Sequence, residues 1–108
     1  MFVEKIDNFL YTRYIKNTIF LIMPEISRFL GIVILMYFDD HNPPHFHVRY
    51  NDYRALVSIG DLAVISGELP PRISAPVLEW AELHKNELME NWKMIQKTGD
   101  YFKIEPLV

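Results

Sequence analysis

The chain has 108 residues, half of them apolar, which fits one globular domain and excludes two full domains or a largely disordered chain. The absence of cysteine excludes disulfide bonds, thiolate zinc sites, iron–sulfur clusters and cysteine nucleophiles, and it agrees with the reducing cytoplasm, where we expect the protein. The formal net charge of −3 provides no global attraction for nucleic acid, so any such contact needs a local cluster of basic residues.

Residues 1–22 differ from the rest of the chain in composition. They hold 13 apolar residues and five charged ones that net +1, whereas residues 23–108 net −4. Because charged residues interrupt every apolar run, the segment predicts neither a secretory signal nor a membrane span. Two interpretations stay open: a short amphipathic helix, or an upstream extension before a natural start at Met23. We therefore place a single domain in 23–108 and no functional residue before it.

The following part of the chain predicts short strands joined by turns. Residues 31–38 form a continuous apolar run that is typical of a strand buried on both faces, and we expect the central strand there. Segments 45–50, 53–59 and 62–66 lie between turn-forming residues and predict three more strands. Since the links between them are short, the strands are expected to form an antiparallel meander.

An amphipathic helix is predicted after the strands. Apolar side chains recur at spacings of three and four across 77–95. We predict one long helix that begins after an N-cap at Ser74, because Pro76 fits only in a first turn, and that ends at Gly99. Residues 101–108 predict an edge strand. The expected fold class is α+β: a small antiparallel meander of about four strands packed against one long C-terminal amphipathic helix.

A cluster of histidines is the strongest functional signal in the sequence. Three of the four histidines, His41, His45 and His47, lie within seven residues of one another and follow Asp40. Side chains two residues apart on a strand share a face, so His45, His47 and Arg49 are expected together. Imidazole exchanges protons near neutral pH and a guanidinium binds anions. The set predicts metal-independent RNA cleavage, with the three histidines and Arg49 as catalytic residues and Asp40 as a binding residue.

Two other interpretations of this cluster stay open. A histidine pair at i and i+2 can present both rings to one metal ion, and His41 or a loop carboxylate can complete a three-ligand site for zinc, iron or nickel. We rank this second and assign no metal and no cofactor, because no fourth ligand is obvious. Alternatively, the polar side chains serve the loop itself by capping turns and bonding carbonyls.

A basic patch is a further candidate on this acidic domain. Arg28, Arg49, Arg54 and Arg72 converge if the sheet curls around the loop, and the alternative is dispersed surface charge. Arg28 and Arg54 are accordingly predicted as binding residues for phosphate. His84 and the two tryptophans are interpreted as packing residues on the helix, because helix and sheet must bury large side chains between them.

The sequence resembles the small prokaryotic family numbered 4160 among domains of unknown function. The resemblance covers residues 23–108 and is most specific in its loop-and-strand segment. The segments that carry it are MPEISRFLG (23–31), MY (36–37), DHNPPHFHV (40–48), GELP (67–70), LEWAELH (78–84) and ELMENW (87–92). This resemblance implies a cytoplasmic protein commonly encoded beside a short protein of the family numbered 2442, in the two-gene style of toxin–antitoxin modules. It implies that His41, His45 and His47 are motif residues, and it implies no settled reaction.

Three functions from different classes are therefore expected as alternatives. The first is a toxin-like component of a two-gene module that inhibits growth as a ribonuclease. The second is a non-catalytic module whose proline–histidine loop binds a protein or operator DNA, and the third is a histidine-ligated metal protein. The expected partners are the antitoxin-like protein of the family numbered 2442, RNA and a second copy of the chain, with no membrane.

Overall fold

A computed structural model describes residues 24–108, and the predictions made for residues 1–22 lie outside this part. Within it the chain forms a five-stranded antiparallel sheet followed by two helices. The strands, in their order across the sheet, are Glu25–Phe29 (β1), Ile32–Leu35 (β2), His45–Tyr50 (β3), Tyr53–Ser58 (β4) and Val64–Gly67 (β5). The helices are Pro71–Leu83 (α1) and Lys85–Thr98 (α2). The predicted α+β class and the antiparallel meander are confirmed.

Strand β1 was not predicted from the sequence. Its five residues, EISRF, include charged and small side chains, so no apolar run marks it. Leu30 and Gly31 follow with positive φ angles of 53° and 77°, and this two-residue turn folds β1 back onto β2. The sheet therefore has five strands rather than four, and its middle strand is β3 rather than the apolar run at 31–38.

The single long helix that was predicted is divided at His84. This residue leaves the helical conformation with φ −119° and ψ 25°, although its carbonyl still accepts a hydrogen bond from the Leu88 N–H at 2.9 Å. The buried residues of both helices keep the predicted spacing, and no glycine or proline marks the division. Within residues 24–108, neither helix is long and apolar enough to cross a membrane.

The ends of the helical region agree only in part with the prediction. Helix α1 begins at Pro71 rather than after Ser74, and Pro76 lies inside it, where its missing N–H removes one backbone hydrogen bond. Gly99 ends α2 in the left-handed conformation with φ 85°, as predicted. Residues 101–108 form no strand.

The C-terminal segment is held by a few specific hydrogen bonds instead. The Ile104 N–H donates to the Ile26 carbonyl of β1 at 2.8 Å. The buried Asn91 of α2 donates from Nδ2 to the Phe102 carbonyl and accepts from the Phe102 N–H, at 2.8 and 2.9 Å. The segment is therefore anchored to both the sheet and the second helix.

An apolar core lies between one face of the sheet and the helices. Phe46 and Val48 of β3 are buried there, and the Phe46 ring lies 6.0 Å from that of Trp80 in α1. We call this the covered face. The opposite face, which carries His47 and Arg49 at the alternate positions of β3, contributes nothing to this core cluster, and we call it the open face.

Candidate functional site

The link between β2 and β3 returns Asp40 to the start of β3, where it meets two histidines. Asp40 Oδ2 lies 3.0 Å from His45 Nε2 and 3.1 Å from His47 Nε2. One possible ligand atom from each of the three residues lies within 4.8 Å of the other two. Three of the predicted site residues thus converge on one point, and we call them the Asp–His–His cluster.

Aromatic side chains fix the two histidine rings. Since His45 and His47 are two residues apart on β3, they project to the same side of the strand. The His47 ring stacks on Tyr37, with centroids 4.1 Å apart and planes 19° from parallel. The His45 ring packs against Trp92 of α2 at 5.1 Å. Trp92 is therefore a packing residue, as expected, and it also supports the cluster.

Gln96 of α2 holds the loop in place, and this role was not predicted from the sequence. Its Oε1 accepts a hydrogen bond from the Asp40 N–H, and its Nε2 donates to the Tyr37 carbonyl, both at 2.9 Å. The two bonds join residues more than fifty positions apart. A glutamine near the end of an amphipathic helix is common, so no local pattern indicates this role.

The hydrogen bonds of His45 define which of its ring nitrogens carries a proton. Nδ1 lies 2.7 Å from the Pro43 carbonyl oxygen, and a carbonyl can only accept, so Nδ1–H is the donor. In a neutral ring, Nε2 then turns a lone pair toward the Asp40 carboxylate. Two acceptor atoms this close need a proton or a metal cation between them. A histidine that donates its far N–H to a carbonyl is the usual arrangement behind a metal ligand.

Asp40 is ionised at neutral pH. Partial burial raises its pKa, but the hydrogen bond with His47, the charge of His45 and the His41 N–H together lower it further, so the pKa of the carboxyl lies below its usual value. The His41 N–H donates to Oδ1 at 3.0 Å, which leaves Oδ2 facing the two rings. The cluster therefore offers one anionic oxygen and two imidazole nitrogens.

Exposure differs sharply among the three histidines. The side chain of His45 is 4% exposed, that of His47 is 22% exposed and that of His41 is 94% exposed. The cluster thus opens on the His47 side, while His45 is enclosed. His41 Nδ1 lies 3.5 Å from Asp40 Oδ1, at the edge of the cluster, and its ring extends into solvent.

Three of the four arginines of the predicted patch share the open face. The register of the sheet places Arg28 and Arg49 opposite the same residue of β2, and Arg54 directly opposite Arg49. Arg28, Arg49 and Arg54 therefore form a row across the sheet, which we call the arginine row. Arg72 belongs to α1 and lies over the Tyr50 ring, so it does not join them.

The members of the arginine row differ in their partners. Arg28 makes two hydrogen bonds to Glu25, at 2.8 and 2.9 Å, which neutralise its charge. Arg54 donates from Nη1 to the backbone carbonyls of Asn51 and Tyr53. Arg49 makes no hydrogen bond or ion pair through its side chain with any residue from 24 to 108.

His84 is the one histidine outside the loop and β3. It pairs with Glu87 and packs near Trp80 of α1, in agreement with a packing role.

The fold and site define a small α+β domain with an Asp–His–His cluster at the start of its central strand. The profile of the family described as Domain of unknown function (DUF4160) matches residues 31–93, which is more than half of the chain. The protein therefore belongs to this family, and the family that the sequence resembles is confirmed over these residues. The match spans the cluster and the arginines of β3 and β4. No curated protein and no solved structure matches the chain.

Proposed function

We propose that the protein binds one divalent transition-metal ion through Asp40, His45 and His47. The observation that carries this proposal is the convergence of both Nε2 atoms on Asp40 Oδ2, at 3.0 and 3.1 Å. Two ligands of a tetrahedral zinc ion, each about 2.05 Å from it, lie about 3.3 Å apart. Both distances from Asp40 Oδ2 are therefore within a few tenths of an ångström of the spacing that coordination requires, and all three ligand atoms lie within 4.8 Å of one another.

The types of ligand favour zinc or ferrous iron. Two imidazoles with one carboxylate form a donor set that both ions accept, whereas magnesium and calcium prefer oxygen ligands alone. Three protein ligands leave at least one coordination position open, as in catalytic centres. The partial exposure of His47 supports an open position on that side of the cluster.

Such a centre supports hydrolysis. A bound zinc ion supplies a hydroxide near neutral pH by lowering the pKa of its water. Around it, Gln96 fixes the backbone of Asp40, and Pro43 fixes the orientation of the His45 ring. Tyr37 covers one face of the His47 ring. These contacts favour a preorganised site, and we propose a metal-dependent hydrolase.

The second candidate is the toxin-like component of a two-gene module. The observation that favours it is Arg49, which has no side-chain partner among residues 24–108 and lies beside the partly exposed His47 on a surface that RNA or a cognate protein of the family numbered 2442 can cover. Because His45 is enclosed and both rings meet one carboxylate oxygen, we replace the metal-independent acid–base pair of the sequence analysis with metal-assisted RNA cleavage. A module that binds its partner without turnover is the remaining alternative.

Metal content of the untagged full chain tests the first proposal. We expect about one zinc or iron ion per chain, and competitive zinc titration should show that His47→Gln weakens binding at least tenfold, because the loss of a residue that only supports a ligand already costs about tenfold or more. His41→Gln is the matched control from the same loop and should change affinity less than about twofold, since its ring lies outside the cluster.

A second matched pair separates coordination from charge. Asp40→Asn removes the anionic ligand, whereas Asp39→Asn removes the same charge from the exposed neighbouring position. Only the first should abolish stoichiometric binding. A wild-type chain that takes up no zinc at neutral pH, or equal losses from both variants, would contradict a metal centre at this cluster.

A further inference from the structure

A shallow depression on the open face lies directly beside the Asp–His–His cluster. Its volume is about 170 Å³, and its polar lining includes Tyr37, His47, Arg49, Arg54 and Ser66. His47 belongs both to the depression and to the cluster. A molecule that occupies the depression therefore contacts the same imidazole that we assign to the metal.

The charge of this depression is positive on a protein whose net charge is negative. Arg49 has no side-chain partner among residues 24–108, and Arg54 bonds only neutral backbone carbonyls there. Glu25 is close enough for Arg49 to lower its pKa, but both of its oxygens are bonded to Arg28. In the part of the chain that the structure describes, two guanidinium groups thus line the depression without a dedicated carboxylate, and this arrangement favours an anion.

The spacing of Arg49 and His47 along β3 places this anion close to the proposed metal ion. Arg49 is two residues from His47 on the same face of β3, which corresponds to about 7 Å along a strand. A guanidinium presents two parallel N–H groups that match two oxygens of a phosphate. One phosphate can therefore bind Arg49 while another of its oxygens faces the open side of the cluster.

The geometry points to a phosphate ester as the substrate class, with Arg49 as its principal ligand and Arg54 as a second. The position of the phosphate relative to the metal rests on the proposed function, whereas the anion site itself rests on the depression alone. In the hydrolysis that this placement permits, the water oxygen bonds to phosphorus as the ester P–O bond breaks. One proton of the water goes to the departing oxygen, so that no other co-reactant is needed.

Phosphate binding by the full chain tests this inference, with inorganic phosphate as the probe and amide chemical shifts as the measurement. Shift changes should concentrate around the depression, and Arg49→Gln should weaken binding about tenfold or more, because charge-assisted hydrogen bonds are lost. Arg72→Gln is the matched control and should change affinity less than about twofold, since Arg72 lies over the Tyr50 ring and does not line the depression. Equal weakening by both variants, or shifts spread over the surface, would overturn the site.

Further measurements distinguish a failure of the proposed metal site from a failure of the anion site. Phosphate that binds the metal-free chain supports the anion site even if no metal binds, and metal uptake without phosphate binding overturns the anion site alone. Uridine monophosphate and a short uridine oligonucleotide distinguish the source of the phosphate. Tighter binding of the oligonucleotide assigns the depression to RNA, and equal binding of both assigns it to small esters.

Discussion

Strand β3 presents two faces with opposite chemistry. Phe46 and Val48 are 0% and 1% exposed on the covered face, whereas His47 and Arg49 are half-buried on the open face. The covered face excludes water under two helices, and the open face keeps polar groups available to a ligand. The strand alternation therefore separates stability from function within six residues, and substitutions on the two faces should have separable effects.

The largest effect is expected from Phe46→Ala on the covered face. The substitution removes a fully buried ring that contacts Trp80, and it should lower the free energy of unfolding by about 3 to 5 kcal/mol. Arg49→Ala, on the open face of the same strand, should change it by less than about 0.5 kcal/mol. Urea denaturation measures both. Similar losses in the free energy of unfolding for the two variants would contradict the distinction between the faces.

Gly67→Ala should have the second-largest effect and lower the free energy of unfolding by roughly 3 kcal/mol. Gly67 has a φ of +76°, and an added Cβ would lie 2.1 Å from the Arg54 carbonyl oxygen, which belongs to rigid backbone at the edge of the depression. Gly60→Ala is the control, because nothing lies within 4 Å of the corresponding position. Thermal unfolding of the pair checks this, and a Gly67→Ala variant as stable as the control contradicts the close approach of β4 and β5.

Asn91→Ala should lower stability by about 2 kcal/mol, because it removes both hydrogen bonds to the Phe102 backbone from a fully buried position. Limited proteolysis should then cleave the C-terminal segment faster. Asn86→Ala, at an exposed position of the same helix, serves as the control and should leave the cleavage rate unchanged. Cleavage that is equally slow in both variants would show that other contacts hold the segment.

A smaller loss of stability, about 1 kcal/mol, is expected from Gln96→Ala. Its effect on metal affinity should be larger, about tenfold, because Gln96 positions Asp40 without contacting the ion. Lys97→Ala at the neighbouring exposed position should alter neither quantity. Unchanged affinity and an unchanged cobalt(II) absorption spectrum in Gln96→Ala would remove this positioning role.

Local periodicity explains the parts of the fold that the sequence predicts well. The alternation in 45–50 predicts both the bounds of β3 and the opposite faces of its side chains, because a period of two depends on neighbouring residues only. The buried face of the helical region follows in the same way from spacings of three and four. Strand β1 and the division at His84 have no such signal, since tertiary pairing and packing determine them.

The candidate site is predictable in its residues but not in its arrangement. The clustering of His41, His45 and His47 marks the right part of the chain, yet their different exposures depend on the path of the loop. The convergence on Asp40 and the contact from Gln96 are set by contacts between distant parts of the chain. For this reason the sequence favours an acid–base pair, whereas the geometry favours a metal centre.

X-ray absorption at the metal edge of the zinc-loaded full chain tests the central claim most directly, because it reports the atoms around the ion. The account predicts two imidazole nitrogens and one carboxylate oxygen from Asp40, His45 and His47, at about 2.0 to 2.2 Å. The imidazole scattering should fall by half in His47→Gln. A shell of oxygen ligands alone, or imidazole scattering that is unchanged in this variant, would contradict the proposed centre.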